Sequence, residues 1–379
     1  MEKIFNQIDA QADKYTYFLR DICAIETKSE DKPALDKLAD FIEKFAKEEG
    51  FLVTRTPFER CGDFLTIDLN PGAEKSAVLM AHMDTVHPKG TFGDCPVTIE
   101  GDRLIGPGAT DCKGGIAVAM SMMKALKDNG YDKHVRLLLT SDEEVSNVLG
   151  GEKEQEFFRE QTKGFRCVLN CEVAEENQVV VSRRGILRFR FDIQGVGGHS
   201  GVHYFNCKNP VVEAAHKILA LESHSKEGST TFSCNVISGG SAGNVIPDTC
   251  SFIVDIRVQH VADMEPARQW VQEVGQTSYL GGTTTTVTPL SVRPPMEKLP
   301  ETMALFDGLL KVSRKYGLGE LVAVESGGGA DSAYTQMAGV PSICALGAVG
   351  ALFHTNKEYA LISSVHQRAK LLAAYLCEM

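Results

Sequence analysis

An α/β fold, with a mostly parallel sheet covered by helices on both faces and an inserted α+β unit, is predicted by three features of this 379-residue chain. Short continuous apolar runs of strand length alternate with longer stretches of helical period. Near Arg184 the texture changes to apolar–polar alternation. Beyond Pro294-Pro295 the first texture returns.

The elements follow from these patterns. Pro33 to Glu49 carries apolar residues at helical spacing and stops at Gly50. Ser76 to Ala81, Val135 to Thr140 and Phe165 to Asn170 are uninterrupted apolar runs, as strands buried on both faces require. Gly114 to Lys127 reads as a helix closed by Asn129-Gly130. In the middle of the chain, Ile186 to Ile193 alternates, as a strand with one solvated face does. A helix from Pro210 to Leu221, strands at Thr230 to Ile237 and Cys250 to Val258, and a helix from Met264 to Leu280 follow. These three strands and two helices suggest an inserted α+β unit of four strands and two helices in all, placed at 185–295, within a domain formed by 1–184 and 296–379. The last stretch supplies a helix from Thr302 to Tyr316, a glycine loop at Gly327-Gly328-Gly329, a strand from Ser342 to Leu346 and a helix from Ser363 to Leu376.

Composition excludes more than it identifies. A net charge of -11 argues against non-specific nucleic-acid binding and against an anionic membrane surface. The start of the sequence lacks the apolar core of a signal peptide, and no apolar run is long enough to span a bilayer. Eleven scattered cysteines without a Cys-x-x-Cys pair suit reduced thiols in a cytoplasmic protein.

Five acid and imidazole clusters sit where strands should end: His82-Met83-Asp84, Asp111-Cys112-Lys113-Gly114-Gly115, Glu143-Glu144, Glu172 and His354-Thr355. In an open α/β sheet, ligands collect beyond the carboxyl ends of the strands. Two imidazoles and a surplus of carboxylates are the donors for a pair of divalent metals, most plausibly zinc. Residues i and i+2 of an extended chain share a face, so Asp84 can reach the His82 ring and fix its tautomer. The glycines before Asp111 permit close backbone approach to an ion or ligand. Adjacent Glu143 and Glu144 point in different directions, so one can bind metal while the other acts as general base. Each cluster has an ordinary alternative: a loop histidine beside a solvated acid, a capping Asp111, or an acidic helix start at Glu143-Glu144. The remaining histidines, such as His134, His216, His224 and His366, are assigned structural roles.

The order of these clusters resembles the M20 family of zinc peptidases and amidohydrolases, over nearly the whole chain. The resemblance implies two Zn2+ ions, with Co2+ or Mn2+ able to substitute. His82 and Glu172 would hold one, Glu144 and His354 the other, and Asp111 would bridge them. Asp84 would orient His82, and Glu143 would be the general base. A cis peptide at Asp111–Cys112 is expected, with Cys112 a departure from the residues usual at that position. The inserted unit resembles the family's lid or dimerisation domain, which implies a homodimer. There His199, in Gly197-Gly198-His199-Ser200, would reach across the dimer to the scissile carbonyl. Asn244 and Arg257 match substrate-contacting positions. Arg257 and the backbone N–H groups of the loop containing Gly328 and Gly329 would take a substrate carboxylate, although Arg257 also reads as an outward strand cation and the loop as a plain turn.

The stretches Gly327 to Tyr334 and Leu352 to Tyr359 look most like the glutamate carboxypeptidase branch. That implies release of a C-terminal amino acid, glutamate among the candidates, from a small peptide or N-acyl amino acid. A deacetylase or desuccinylase of N-acyl amino acids remains the alternative. A non-catalytic binding protein on the same fold stands behind both.

Overall fold

The structure, a computed structural model, describes residues 1–379. Its strands are β1 (Leu52–Thr56), β2 (Phe64–Leu69), β3 (Lys75–His82), β4 (His134–Thr140), β5 (Cys167–Asn170), β6 (Gly185–Gln194), β7 (Thr231–Gly239), β8 (Thr249–Val258), β9 (Thr284–Arg293) and β10 (Ser342–Ile343). The helices are α1 (Glu2–Ala10), α2 (Ala12–Cys23), α3 (Lys32–Glu48), α4 (Lys113–Asp128), α5 (Gly151–Thr162), α6 (Pro210–Glu222), α7 (Met264–Gln276), α8 (Pro300–Tyr316), α9 (Ser332–Met337) and α10 (Ile362–Glu378). Short ribbons complete the inventory. The chain divides into two compact units: residues 1–182, 298–326 and 330–379 form one, and 183–297 with 327–329 form the other.

The larger unit is built on a six-stranded sheet of order β1-β2-β4-β3-β5-β10. β4, β3, β5 and β10 run parallel, and β1 and β2 add an antiparallel edge. Both faces are covered, as the continuous apolar runs require. Along β3, Ala77, Leu79 and Ala81 join the core formed with α2, α4 and α10, while Val78 and Met80 join a second core containing Phe64, Phe158 and Tyr334. The period of two therefore survives inside an all-apolar strand. α4 is buried from Ile116 through Leu126 except at Lys124, because it lies under α2 and α10.

Two predicted bounds are corrected. The strand expected over Ser342 to Leu346 pairs with β5 only at Ser342 and Ile343. Cys344 bridges to Val180 instead, and Ala345 turns into the left-handed region at φ 63°. α7 ends at Gln276, not Leu280.

The cause of the second correction lies in the smaller unit. This unit is an antiparallel sheet of order β7-β8-β6-β9 with α6 and α7 packed on it. Leu187, Phe189, Phe191 and Ile193 face the core while Arg188, Arg190 and Asp192 face outward. Lys217 and Glu213, one turn apart on α6, are a fully buried ion pair at 3.2 Å. The Lys217 ammonium donates to the carbonyls of Val274 (2.7 Å), Gly275 (3.2 Å) and Thr277, so it caps the open C-terminus of α7. Glu213 accepts the backbone N–H groups of Tyr279 (3.1 Å) and Leu280 (2.7 Å), which pulls those residues out of the helix. Lys217→Met would leave the buried Glu213 carboxylate without its counter-charge and three carbonyls without their ammonium donor. The expected loss is about 3–5 kcal/mol of stability, read from denaturant unfolding; an unchanged midpoint would refute the capping role.

Candidate metal centre

The parallel strands deliver their carboxyl ends to one edge of the sheet. His82 is the last residue of β3, Glu143 and Glu144 follow β4, and Glu172 follows β5 by two residues. Asp111 comes from the turn before α4. His354 comes from the loop between the short strands Gly350–Ala351 and Tyr359–Leu361.

These residues meet. His82 Nε2 lies 3.1 Å from Asp111 Oδ1 and 3.6 Å from Glu172 Oε1. His354 Nε2 lies 3.1 Å from Glu144 Oε2 and 3.4 Å from Asp111 Oδ2. Asp111 thus turns one carboxylate oxygen toward each imidazole, the disposition of a bridging ligand. The Asp111–Cys112 peptide is cis, as expected. The helix-capping alternative for Asp111 fails, because the N-cap of α4 is Cys112 and no side chain caps that end. Nor do Glu143 and Glu144 open a helix: the segment after β4 is a run of turns, and α5 begins at Gly151.

Asp84 organises the far side of His82. Its carboxylate is fully buried and lies 3.3 Å from His82 Nδ1, whose nearer acceptor is the Asp84 carbonyl at 3.0 Å. The same carboxylate accepts the Glu143 N–H (3.2 Å), the Glu144 N–H (3.1 Å) and the Ser29 hydroxyl (2.6 Å). Asp142, beside the paired glutamates, is buried and accepts the N–H groups of Leu149 (3.1 Å) and Gly150 (2.8 Å).

The electrostatics show what this crowding does. Burial, together with the Asp111 charge, pushes the Glu144 carboxyl up to about 8. Hydrogen bonds to Asp111 and Glu144 raise His354 to about 10. Burial works against a charge on His82, yet the surrounding acids hold its pKa well above the ordinary value. Asp111 is pulled down by the two imidazoles despite its burial. A site that collects protons and like charges in this way is one that a cation satisfies. The donors are imidazole nitrogen and carboxylate oxygen, a set that fits divalent zinc. Cys112 Sγ also lies close to the His82 and Glu172 donors, but its thiol donates to the Cys171 carbonyl at 3.1 Å.

The glycines near this turn serve the chain's own packing. A Cβ on Gly115 would stand 1.9 Å from the Cys171 carbonyl oxygen, and a Cβ on Gly106 would meet Pro96 O at 3.1 Å.

Glu358 escaped the sequence reading. It is buried, and its carboxylate accepts the N–H groups of Thr110 and Asp111 (3.0 Å each) and meets His87 Nε2 at 2.9 Å. Those partners lie about 250 positions earlier in the chain, so no local pattern marks the residue.

In the smaller unit, Gly198–His199 pairs with Val245–Ile246, and Ser200 donates to the Asn244 carbonyl from both N and Oγ at 3.0 Å. His199 and Asn244 are therefore neighbours, both exposed. The Gly201 N–H donates to His199 Nδ1 at 3.2 Å, which leaves the ring proton on Nε2. Arg257 pairs with Asp255 (2.6 Å) and donates to the Gly327 carbonyl (3.3 Å), while Arg183 donates to the Gly329 carbonyl (3.0 Å). Two guanidinium groups thus hold the glycine loop that contains Gly328 and Gly329.

Comparison with known proteins follows the same line. The profile of Peptidase family M20/M25/M40 matches residues 78–378. Carboxypeptidase G2 of Pseudomonas sp. (strain RS-16) is 28% identical over 369 residues, covering 95% of this chain and 88% of its own. Succinyl-diaminopimelate desuccinylase of Rickettsia akari is 22% identical, covering 93% of this chain and 96% of its own. A tripeptidase structure from Staphylococcus aureus shares the fold, with a TM-score of 0.81 at 19% identity, over 96% of this chain and 97% of its own. The chain belongs to peptidase family M20/M25/M40. It is a metallopeptidase or amidohydrolase, and enzymes of this family generally bind divalent metals. No helix is long and apolar enough to cross a membrane.

Asp84→Asn would set an amide NH2 against backbone donors and the His82 ring. Divalent-metal affinity should fall about 10–100-fold in a competition titration with a chromophoric chelator. Wild-type affinity would show that Asp84 does not orient the ligand.

Proposed function

We propose that the protein is a di-zinc exopeptidase that releases a C-terminal amino acid, glutamate being the first candidate, from a small peptide or N-acyl amino acid. The observation carrying this reading is the meeting of His82, Asp111, Glu144, Glu172 and His354 around two neighbouring imidazole–carboxylate groups, with Glu143 beside them. His82 and Glu172 would hold one ion, Glu144 and His354 the other, with Asp111 shared. Bound zinc supplies Lewis acidity toward a water and an amide carbonyl.

The chain's residues do the rest. Glu143 takes the proton of the attacking water and passes it to the leaving amine as the amide C–N bond breaks. Asp84 anchors Glu143 by its backbone N–H and so keeps that carboxylate beside the ligands. His199, with its proton on Nε2, is set up to donate to the developing oxyanion, reaching the site of a partner subunit in a homodimer. Arg257, Gly328 and Gly329 would take the substrate's α-carboxylate and Asn244 its neighbouring polar groups.

Full-length similarity to carboxypeptidase G2 supports a carboxypeptidase-type substrate with a free α-carboxylate. Similarity to a succinyl-diaminopimelate desuccinylase over 93% of the chain favours the second reading, an N-acyl-amino-acid hydrolase. A mass-spectrometric panel of dipeptides, folate-type glutamyl amides and N-acetyl and N-succinyl amino acids separates the two. Zinc-dependent release of the C-terminal residue from dipeptides or glutamyl amides supports the first, hydrolysis confined to the N-acetyl or N-succinyl amino acids, giving acyl acid and free amino acid together, supports the second, and bound zinc with no release refutes both.

Glu143→Ala should lower kcat by about 10²–10⁴-fold while zinc content measured by plasma mass spectrometry stays unchanged. Near-normal turnover would remove Glu143 from the mechanism. If His199 acts across a dimer, mixing the inactive His199→Ala and Glu143→Ala proteins under subunit exchange should restore turnover. A mixture that forms hybrid dimers yet stays inactive would exclude the trans role.

A further inference from the structure

We infer that Glu358, with His87 as its partner, is a positioning residue that sets the spacing between Asp111 and His354. This rests on the reading that those two residues share a metal. Glu358 is 1% exposed and His87 4% exposed, so neither serves solvent. One carboxylate oxygen of Glu358 accepts both the Thr110 and the Asp111 N–H groups at 3.0 Å. The other meets His87 Nε2 at 2.9 Å, and the His87 ring is braced edge-on against Phe92 at 5.0 Å between centroids.

The same residue is fixed through its backbone. Its carbonyl accepts the Gly106 N–H at 3.1 Å, and its own N–H closes the turn after His354 by donating to Thr355 O at 3.2 Å. Three segments therefore converge on one side chain: the loop after β3 that carries His87, the turn that carries Asp111, and the loop that carries His354. His354 itself is half-exposed and sits at φ 63°, a conformation that non-glycine residues adopt only when neighbours impose it. The Asp111 carboxylate reaches 3.4 Å from His354 Nε2 only because its backbone is hung from Glu358. A buried carboxylate fits this task because two backbone donors and an imidazole converge on its two oxygens. Glutamine could keep the two backbone bonds, and aspartate, one methylene shorter, could not span from the 358 backbone to all three donors.

Cobalt titration of apo-protein, read by visible d–d absorption, tests the assignment independently of any substrate, with apo-protein melting followed in parallel. Glu358→Asp and Glu358→Ala should each weaken the more loosely held cobalt about 10–100-fold and alter its absorption envelope. Glu358→Gln should restore both readouts to near wild type. Unchanged cobalt affinity and spectrum in Glu358→Asp would overturn the inference, as would a Glu358→Gln protein as impaired as Glu358→Asp. If Glu358→Ala does not fold, Glu358→Asp decides. Failure of the wild-type protein itself to take up cobalt would instead refute the functional reading above.

Discussion

The Asp84 carboxylate is the contact on which the site depends. It is buried at the end of β3 and reaches the backbone of Glu143 and Glu144 at the end of β4. Parallel strands bring their carboxyl ends to one edge, but they do not fix the register of the loops beyond that edge. Asp84 does so by accepting the consecutive backbone N–H groups of Glu143 and Glu144, which fixes the backbone that carries both side chains. The His82 ring is held by the same residue from its other nitrogen side. One acid therefore ties the His82 ring to the backbone of both glutamates in a single arrangement. Its ionised form is favoured because every oxygen faces a donor, despite complete burial.

The acids beyond Asp84 are arranged less comfortably. Glu144 is pushed toward its neutral form by burial and by Asp111, and the two imidazoles are pushed toward their charged forms. Such opposed shifts within one cluster are characteristic of functional sites. In a structural ion-pair network, charges neutralise one another without needing added protons. Here the carboxylates outnumber the imidazoles, an excess of acid that suits a divalent cation.

Much of the large unit was legible because buried parallel strands are short and continuously apolar, and because strand ends mark where ligands gather. The runs at Ser76, Val135 and Phe165 became β3, β4 and β5, and the clusters after them came together. The edge strand β1 and its neighbour β2 lacked that texture and went unassigned: Leu52, Thr54 and Thr56 on β1 remain partly or fully exposed, and Thr66 and Asp68 interrupt the apolar run of β2. The end of α7 was misplaced because periodicity continues through Leu280, while the residues that stop the helix, Glu213 and Lys217, sit on another helix. Glu358 was missed for a similar reason. Its partners are backbone amides about 250 positions away, and nothing in the local sequence announces them.

Backbone crowding around Glu172 leaves no room for a side chain at two neighbouring glycines. Gly115 at the start of α4 and Gly347 after β10 both press on the Cys171 carbonyl, where a Cβ would stand 1.9 Å and 2.2 Å from the oxygen. A Cβ on Gly347 would also come within 2.7 Å of the Glu172 carbonyl. Any side chain at either position must push the end of β5 away from α4 or from the loop that leads to His354. Glu172 and Asp111 lie on opposite sides of that contact, each 3.6 Å or less from His82 Nε2. Separating the backbones by even the width of a methyl group would take one of them out of reach of the imidazole. The two glycines therefore set the spacing of Asp111 and Glu172 around His82 without touching their side chains, through the distance they allow between the segments that carry them.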